Sequence, residues 1–374
     1  MSYPMVDGYL DDMKSTINII TPEQALAMQA EGALLIDVRE PDEHALGLPV
    51  NALAVPRANL ELDPSSYIRD FKGPLLLFCG SGRRSMLAGE ALLQKGYRNL
   101  FNVDGGYQRW TAEKLPLQDS DLDQDFTERY ARHLRLPQVG IDGQKKLEAA
   151  RVVLVGAGGL GSPVAYYLAA AGVGNITIID NDVVDKSNLQ RQILHAEADI
   201  GKPKVVSAAA SMFALNPRIK IQTIQARLGP ENVHAVIAAA DIVVDGSDNF
   251  PTRFLLNDVC VELAKPLVYA AVQRFSGQMS VFDAGRRRGE SPCYRCLFPE
   301  APSGEDAPNC AEAGVLGVLP GVMGLLQATE AIKLILGIGQ TLSGRLLQFD
   351  ALAMRFSEIR IPVDAQCVCC GSPQ

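Results

Sequence analysis

The chain has 374 residues, 47% of them hydrophobic and 21% charged, with a formal net charge of -8. That length suits two ordinary soluble domains, and the acidic balance argues against broad nucleic-acid binding. No continuous apolar stretch approaches the roughly twenty residues a membrane span needs, and the start, M-S-Y-P-M-V-D-G-Y-L-D-D, has no basic region followed by an apolar core, so a cytoplasmic protein with no membrane partner is expected.

Met1 to Thr16 reads as a short leader without a motif. Ile19 and Ile20 predict a strand, and T-P-E-Q-A-L-A-M-Q starts a helix with Thr21 as N-cap and Pro22 in the first turn. Leu34 to Val38 is a buried strand running into Asp37-Val38-Arg39-Glu40. A second apolar strand, Leu75 to Phe78, leads into C-G-S-G-R-R-S (Cys79 to Ser85) and a helix over Met86 to Gln94. A loop closing on a helix N-terminus aims backbone N–H groups at the thiol, and Arg83 or Arg84 beside it would lower the Cys79 pKa. Leu115 to Asp125 is polar and acidic without an apolar period and is expected to join two domains, the first over residues 17–117 and the second over 126–374, with 118–125 as linker. In R-Y-A-R-H-L-R, Arg129 and Arg132 lie three apart on a predicted helix.

Arg151 to Gln192 holds the strongest pattern. The β-branched run Val152 to Val155 breaks into glycines, a helix is predicted from Ser162 to Ala171, and a second apolar run, Ile176 to Ile179, ends on Asp180. Gly156, Gly158, Gly159 and Gly161 allow a tight turn and close approach to a phosphate at a helix N-terminus, and Asp180 suits a ribose hydroxyl. This much says nucleotide without saying which. Asn188, Arg191, Gln192 and Lys204 follow, and Asp248 stands in D-G-S-D-N after the strand Ile242 to Val244. Bases that offset triphosphate charge, with an acid able to hold magnesium, favour ATP over NAD.

Further strands are predicted over Ile219 to Gln225, Leu267 to Val272 and Gly277 to Phe282, the last antiparallel, with a helix over Pro251 to Ala264 that buries Cys260 and a long apolar one over Val315 to Leu336. Eight cysteines are too few for a secreted disulfide scaffold. Cys293 and Cys296, with Cys367 and Cys370, form two C-x-x-C pairs that suit a closed tetrahedral zinc site. Disulfides are the alternative, disfavoured by compartment, and Cys369 is a neighbour that could replace a ligand or stay free.

G-A-G-G-L-G-S, D-N-D-V-V-D-K-S-N-L-Q-R-Q, G-K-P-K, D-G-S-D-N and C-Y-R-C resemble the MoeB- and ThiF-type adenylyltransferases, bacterial ancestors of ubiquitin-activating enzymes, over about Phe126 to Gly371. The resemblance implies ATP, magnesium and adenylation of the C-terminal glycine of a small ubiquitin-like sulfur carrier ending in Gly-Gly, of the molybdopterin-synthase or thiamine type. It also implies a homodimer in which Arg132 reaches the ATP phosphates of the partner subunit, and it places Cys310, in C-A-E-A-G-V, near the adenylate, in a role that differs among members. L-L-I-D-V-R-E-P-D-E-H, the Cys79 loop and V-D-G-G-Y-Q-R-W resemble a rhodanese domain, which carries sulfur as a cysteine persulfide, here on Cys79, charged by thiosulfate or by a persulfide from a cysteine desulfurase. Where rhodaneses usually have a G-H-I-P-G-A-like stretch, this chain reads L-G-L-P-V-N-A. Trp110 fits the rhodanese closing pattern and is expected in the core.

The expected fold is therefore α/β, a rhodanese-like domain followed by a Rossmann-like mixed-sheet adenylating domain. The rivals are an NAD(P)-dependent oxidoreductase and a non-catalytic scaffold with a degenerate nucleotide site; Arg191, Lys204 and Asp248 count against the scaffold.

Overall fold

The computed structural model describes residues 16–118, 123–300 and 314–371, and the chain divides into two compact units, Met1–Ile141 and Asp142–Gln374. Cys310 and nearly all of the leader lie outside the described residues.

In the first unit, β1 (Asn18–Ile20), β2 (Leu34–Asp37), β3 (Leu53–Ala54), β4 (Leu75–Phe78) and β5 (Leu100–Val103) form a parallel sheet in the order β1-β5-β4-β2-β3. All four residues of β4 are buried, because both faces of a parallel sheet are covered. The helix α1 (Pro22–Ala30) starts at the expected cap: Gln24 N donates to Thr21 Oγ1 at 3.2 Å, and Thr21 N donates to Gln24 Oε1 at 2.8 Å. Leu75, Leu77 and Ile36 pack on one face with Met86 and Leu92 of α2 (Arg83–Gln94). Leu35, Leu76 and Phe78 pack on the other with Trp110 of α3 (Gly106–Ala112), whose ring meets Phe78 edge-on at 5.5 Å.

The joining segment starts later than Leu115. Leu115 and Leu117 pack on the Trp110 face, Leu117 bridges to Pro49, and Trp110 Nε1 donates to Pro116 O at 3.1 Å. Alternate apolar residues in L-P-L are enough to dock this strand-like turn, although they are too few to show a period. Arg129 and Arg132 also fall on two short helices rather than one, α4 (Gln124–Arg129) and α5 (Ala131–Leu134), which break at Tyr130 so that Phe126, Tyr130 and Leu134 share one buried cluster. The departure at L-G-L-P-V-N-A carries Gly47 at φ +128, and its carbonyl accepts from Arg39 Nη2 at 2.6 Å.

The second unit has eight strands: β6 (Arg151–Val155), β7 (Asn175–Ile179), β8 (Lys220–Ile224), β9 (Ile242–Asp245), β10 (Leu267–Gln273), β11 (Ser276–Phe282), β12 (Arg345–Asp350) and β13 (Arg355–Arg360). Their order is β13-β12-β11-β10-β9-β6-β7-β8, parallel from β10 to β8 and antiparallel from β10 to β13. The hairpin β12–β13 escapes sequence reading because every residue of β13 is exposed and no apolar alternation marks it.

The helix α6 (Gly161–Ala171) follows β6, α7 (Lys204–Leu215) precedes β8, α8 (Phe250–Glu262) follows β9, and α9 (Leu319–Leu336) precedes β12. By length and composition α9 passes as a membrane span among the described residues, which the sequence reading did not expect. Here it packs on α6, β10 and β11, and its buried Gln327 Nε2 donates to Asp245 O at 2.7 Å and Val268 O at 3.1 Å. It begins at Leu319 rather than Val315, since Val315 bridges to Arg274 and Pro320 suits a first turn.

After β6 the chain winds outward to β7 and β8; after β9 it winds the other way to β10. A crevice opens where the direction reverses, between β6 and β9. The crevice depends on α6 lying close: a Cβ added to Gly161 would stand 2.0 Å from the Gly156 carbonyl oxygen. Gly161→Ala is expected to lower the unfolding free energy by ~1–3 kcal/mol, read as an earlier denaturation midpoint. An unchanged midpoint would mean that the helix can move away at no cost.

Candidate active sites

The crevice is a cleft of about 410 Å³ lined by Gly156, Gly158 and Gly159 after β6, Asp180 and Asp182 after β7, then Arg191, Gln192 and Lys204, and by Ser247, Asp248 and Arg253 after β9. Asp180 ties the glycine loop to the end of β7: its Oδ2 accepts from Ala157 N and its Oδ1 from Asp182 N, each at 2.8 Å. The Lys204 side chain is buried and donates to Asp182 Oδ2 at 2.9 Å, so the ammonium stands in the wall already paired to an exposed carboxylate. Arg191 Nη1 donates to Ser187 O at 3.1 Å. Gln192 is 4% exposed, and its Oε1 has no hydrogen-bond partner. A buried amide left incomplete in a cleft wall fits a polar ligand. Asp248 is exposed at the rim, where its carboxylate can meet a hydrated cation.

Asn188 and Gly161 do not line the cleft. Asn188 Oδ1 accepts from Asp185 N at 3.3 Å, closing the 3-10 turn Lys186–Asn188, and its carbonyl accepts from Arg191 N and Gln192 N, so it shapes the chain that presents those two residues. Gly161 lies beneath the loop. Arg132 is exposed on α5 in the first unit.

Sequence reading overlooked the pair under Asp248. Asp245 is fully buried, which pushes its carboxyl above the ordinary range; its Oδ1 accepts from Ser247 N at 2.9 Å and from Ser247 Oγ at 2.6 Å. Its Oδ2 lies 3.9 Å from Arg253 Nε, and Arg253 Nη2 donates to Ser247 O at 3.1 Å. The first acid of D-G-S-D was the available signal, masked by its place at the end of an apolar strand.

Cys79 lies between β4 and α2, fully buried, and its Sγ accepts from Gly82 N and Ser85 Oγ, each at 3.2 Å. Its carbonyl accepts from Tyr107 N at 2.8 Å, and a Cβ on Gly106 would stand 2.0 Å from that oxygen, which accounts for a glycine in V-D-G-G-Y. Arg84 serves two groups. Its Nη2 donates to Glu43 Oε1 at 2.7 Å, a pair that first holds the guanidinium pKa up, and Cys79 adds a smaller electrostatic attraction in the same direction. The groups that touch the sulfur are an N–H and a hydroxyl.

Cys293, Cys296, Cys367 and Cys370 come together with all four sulfurs within 4.8 Å of one another. Cys293 Sγ lies 3.6 Å from Cys367 Sγ, and Cys296 Sγ lies 3.4 Å from Cys370 Sγ. These are free thiols, not disulfides. Their spacing is near the ~3.8 Å edge of a tetrahedron with metal–sulfur bonds of about 2.3 Å. Burial pushes the Cys370 thiol up to about 12, so thiolates here need a cation. Cys369 stands outside the four, with its Sγ 3.4 Å from Asn257 Nδ2.

Two family models match the chain, a rhodanese-like domain over residues 21–113 and the ThiF family over residues 130–369. The chain belongs to the ThiF family. It is 50% identical over 250 residues to the SAMP-activating enzyme E1 of Haloferax volcanii, a match covering 67% of this chain and 91% of that one. To the sulfur carrier protein adenylyltransferase of Thermus thermophilus it is 48% identical over 264 residues, covering 70% and 93%. A MoeZ adenylyltransferase/sulfurtransferase of Mycobacterium tuberculosis is 49% identical over 245 residues, covering 66% of this chain and 62% of the relative. Among solved structures, E. coli MccB with ATP shares the fold at a TM-score of 0.56 and 22% identity, covering 67% and 83% of the two chains. The protein is thus an ATP-using adenylyltransferase joined to a rhodanese-like sulfurtransferase domain.

In the ThiF unit a second cleft, of about 570 Å³, shares Asp248, Arg253 and Val272 with the first and runs onto the antiparallel strands past Gln278, Gln348 and Phe349. The glycine-loop cleft therefore adjoins a second cavity at Asp248. For the nucleotide itself, Lys204→Ala is expected to weaken ATP binding at least about tenfold, since one charge-assisted phosphate contact is worth roughly 1.5–3 kcal/mol. Equilibrium titration checks it, and wild-type affinity would remove Lys204 from the phosphate site.

Proposed function

We propose that the ThiF unit uses ATP and magnesium to adenylate the C-terminal glycine of a small ubiquitin-like sulfur carrier ending in Gly-Gly, of the molybdopterin-synthase or thiamine type, and that Cys79 then supplies the sulfur of its thiocarboxylate. The observation that carries this reading is the meeting of two clefts at Asp248 and Arg253, one lined by the glycine loop with Arg191 and Lys204 and one of about 570 Å³ running along the antiparallel strands. The relative from Thermus thermophilus, named for a sulfur carrier protein, supports the choice of partner.

In the first step a carrier carboxylate oxygen attacks the α-phosphorus, the bond to the β-phosphate breaks, and pyrophosphate leaves. Arg191 and Lys204 take up its charge, Asp248 holds magnesium, and Arg132 of a second subunit completes the site in a homodimer. In the second step the terminal sulfur of a Cys79 persulfide, charged by thiosulfate or by a desulfurase persulfide, attacks the acyl carbon, and AMP leaves with the electron pair of the broken C–O bond. The product is an acyl disulfide. Attack by a second thiol on Cys79 Sγ then frees the thiocarboxylate and leaves a disulfide that an external dithiol reduces. Covalent connection of the two units raises the effective concentration of donor near acceptor.

The reading is tested by ATP–pyrophosphate exchange that requires carrier and magnesium. Asp248→Ala should abolish exchange. Cys79→Ala should leave exchange within about twofold of wild type, because adenylation needs no thiol, and should stop thiocarboxylate formation from thiosulfate. Full exchange in Asp248→Ala would defeat the adenylation assignment, whereas thiocarboxylate made at the normal rate by Cys79→Ala would defeat only the sulfur relay.

The four-cysteine cluster fits zinc, and its place beside the chain end suits a structural role. Elemental analysis of reduced protein should find one zinc per chain, lost when Cys293→Ala and Cys296→Ala are combined. Zinc-free wild type, or a double variant with full zinc, would show that the cluster does not bind it.

A further inference from the structure

We propose that His195 is a positioning residue for the nucleotide, holding the glycine loop through the Ala157 carbonyl and taking up a proton when a triphosphate enters the cleft. The proposal rests on the adenylation reading and concerns its nucleotide site.

His195 is 7% exposed and lies three residues after Gln192, outside the cleft lining. Its Nε2 is 3.0 Å from Ala157 O and its Nδ1 is 2.9 Å from Ser207 Oγ. Ala157, between two cleft glycines, is thereby held at both ends of its backbone: Asp180 takes the N–H and His195 reaches the carbonyl. Fixing that residue fixes the direction of the Gly158 and Gly159 N–H groups, which are the loop's phosphate donors.

Proton counting makes the ring more than a strut. A carbonyl only accepts, so Nε2 carries a hydrogen. Ser207 has a single hydroxyl hydrogen and two claimants for it, His195 Nδ1 and Asp199 Oδ2, the latter also at 2.9 Å. Lys202 first, with Ser207 and the Ala196 N–H, holds Asp199 down to about 2, so it stays ionised. With the hydroxyl turned to Asp199, both ring nitrogens face acceptors, which is a site for an imidazolium. Against this, burial first and then Lys204 hold the His195 pKa below its ordinary value, while Asp199 and Asp180 pull it up. Free of nucleotide, the ring is therefore neutral near pH 7, with acceptors for a second proton already in place. A triphosphate adds negative charge and favours the protonated form. By linkage, ATP affinity gains a component that rises as pH falls through the His195 range, which begins below about 6.5.

Calorimetric titration of the full chain with Mg-ATP, in buffers of different ionisation enthalpy from pH 5.5 to 8, reads both affinity and proton uptake. His195→Phe, which keeps a ring and removes the donor, is expected to raise the Kd about tenfold, the worth of one hydrogen bond to a buried carbonyl, with the maximal exchange rate within about twofold of wild type. His195→Gln, which can still donate to Ala157 O, should recover most of the affinity at pH 8 and lack the extra proton uptake expected of wild type toward the acid end of the range. The ATP phosphates titrate alike in every variant, so the difference isolates the ring. Wild-type affinity in His195→Phe, or wild-type proton uptake in His195→Gln, would overturn the proposal; should the Phe variant fail to fold, the Gln variant decides alone. ATP binding with no carrier-dependent exchange would instead overturn the adenylation reading and leave the His195 linkage standing.

Discussion

The ThiF unit is built around a place where no side chain fits. At the ends of β6 and β9, a Cβ on Gly156 would stand 2.8 Å from Gly246 O, and a Cβ on Gly246 would stand 2.9 Å from Val155 O. Two parallel strands thus meet backbone against backbone at the point where the sheet reverses direction. The floor of the cleft becomes polar peptide rather than hydrocarbon, and α6 can start directly over it. Asp180, just past β7, and His195 then hold this bare loop at the Ala157 N–H and carbonyl.

A second regularity concerns charge. Near each candidate centre several cations already have carboxylate partners: Lys204 with Asp182, Arg253 close to Asp245, and Arg84 with Glu43. Such pairing keeps buried cations in place without a ligand, and it means that an entering anion must compete for them. Asp182 is much more exposed than the Lys204 it holds, so it can turn away into water at small cost.

How much of this was legible in the chain follows from how local each feature is. β4, β6 and β9 are uninterrupted apolar runs because both faces are covered, and the glycines, Asp180 and the C-x-x-C pairs are read from spacing alone. What was missed is held by partners distant in sequence or by exposed chain. His195 meets Ala157 across 38 positions, Arg84 finds Glu43 across 41, and β13 shows no buried face at all. Asp245 and Arg253 read as the end of a strand and one turn of a helix until the fold put them under Asp248.

A metal held by the four cysteines would also close a ring. Cys296 and Cys367 lie at either end of a stretch that includes α9, β12 and β13, so joining them makes one loop out of a fifth of the protein. That loop supplies Phe298, Gln348, Phe349, Asp350, Arg355 and Ser357 to the second cleft, but only Val315 and Pro320 to the nucleotide cleft. Opening that ring would therefore loosen the two clefts unequally: the second cleft loses a wall, while the glycine-loop cleft keeps nearly all of its own. The cysteine cluster thus bears on the shape of the second cleft more than on that of the first.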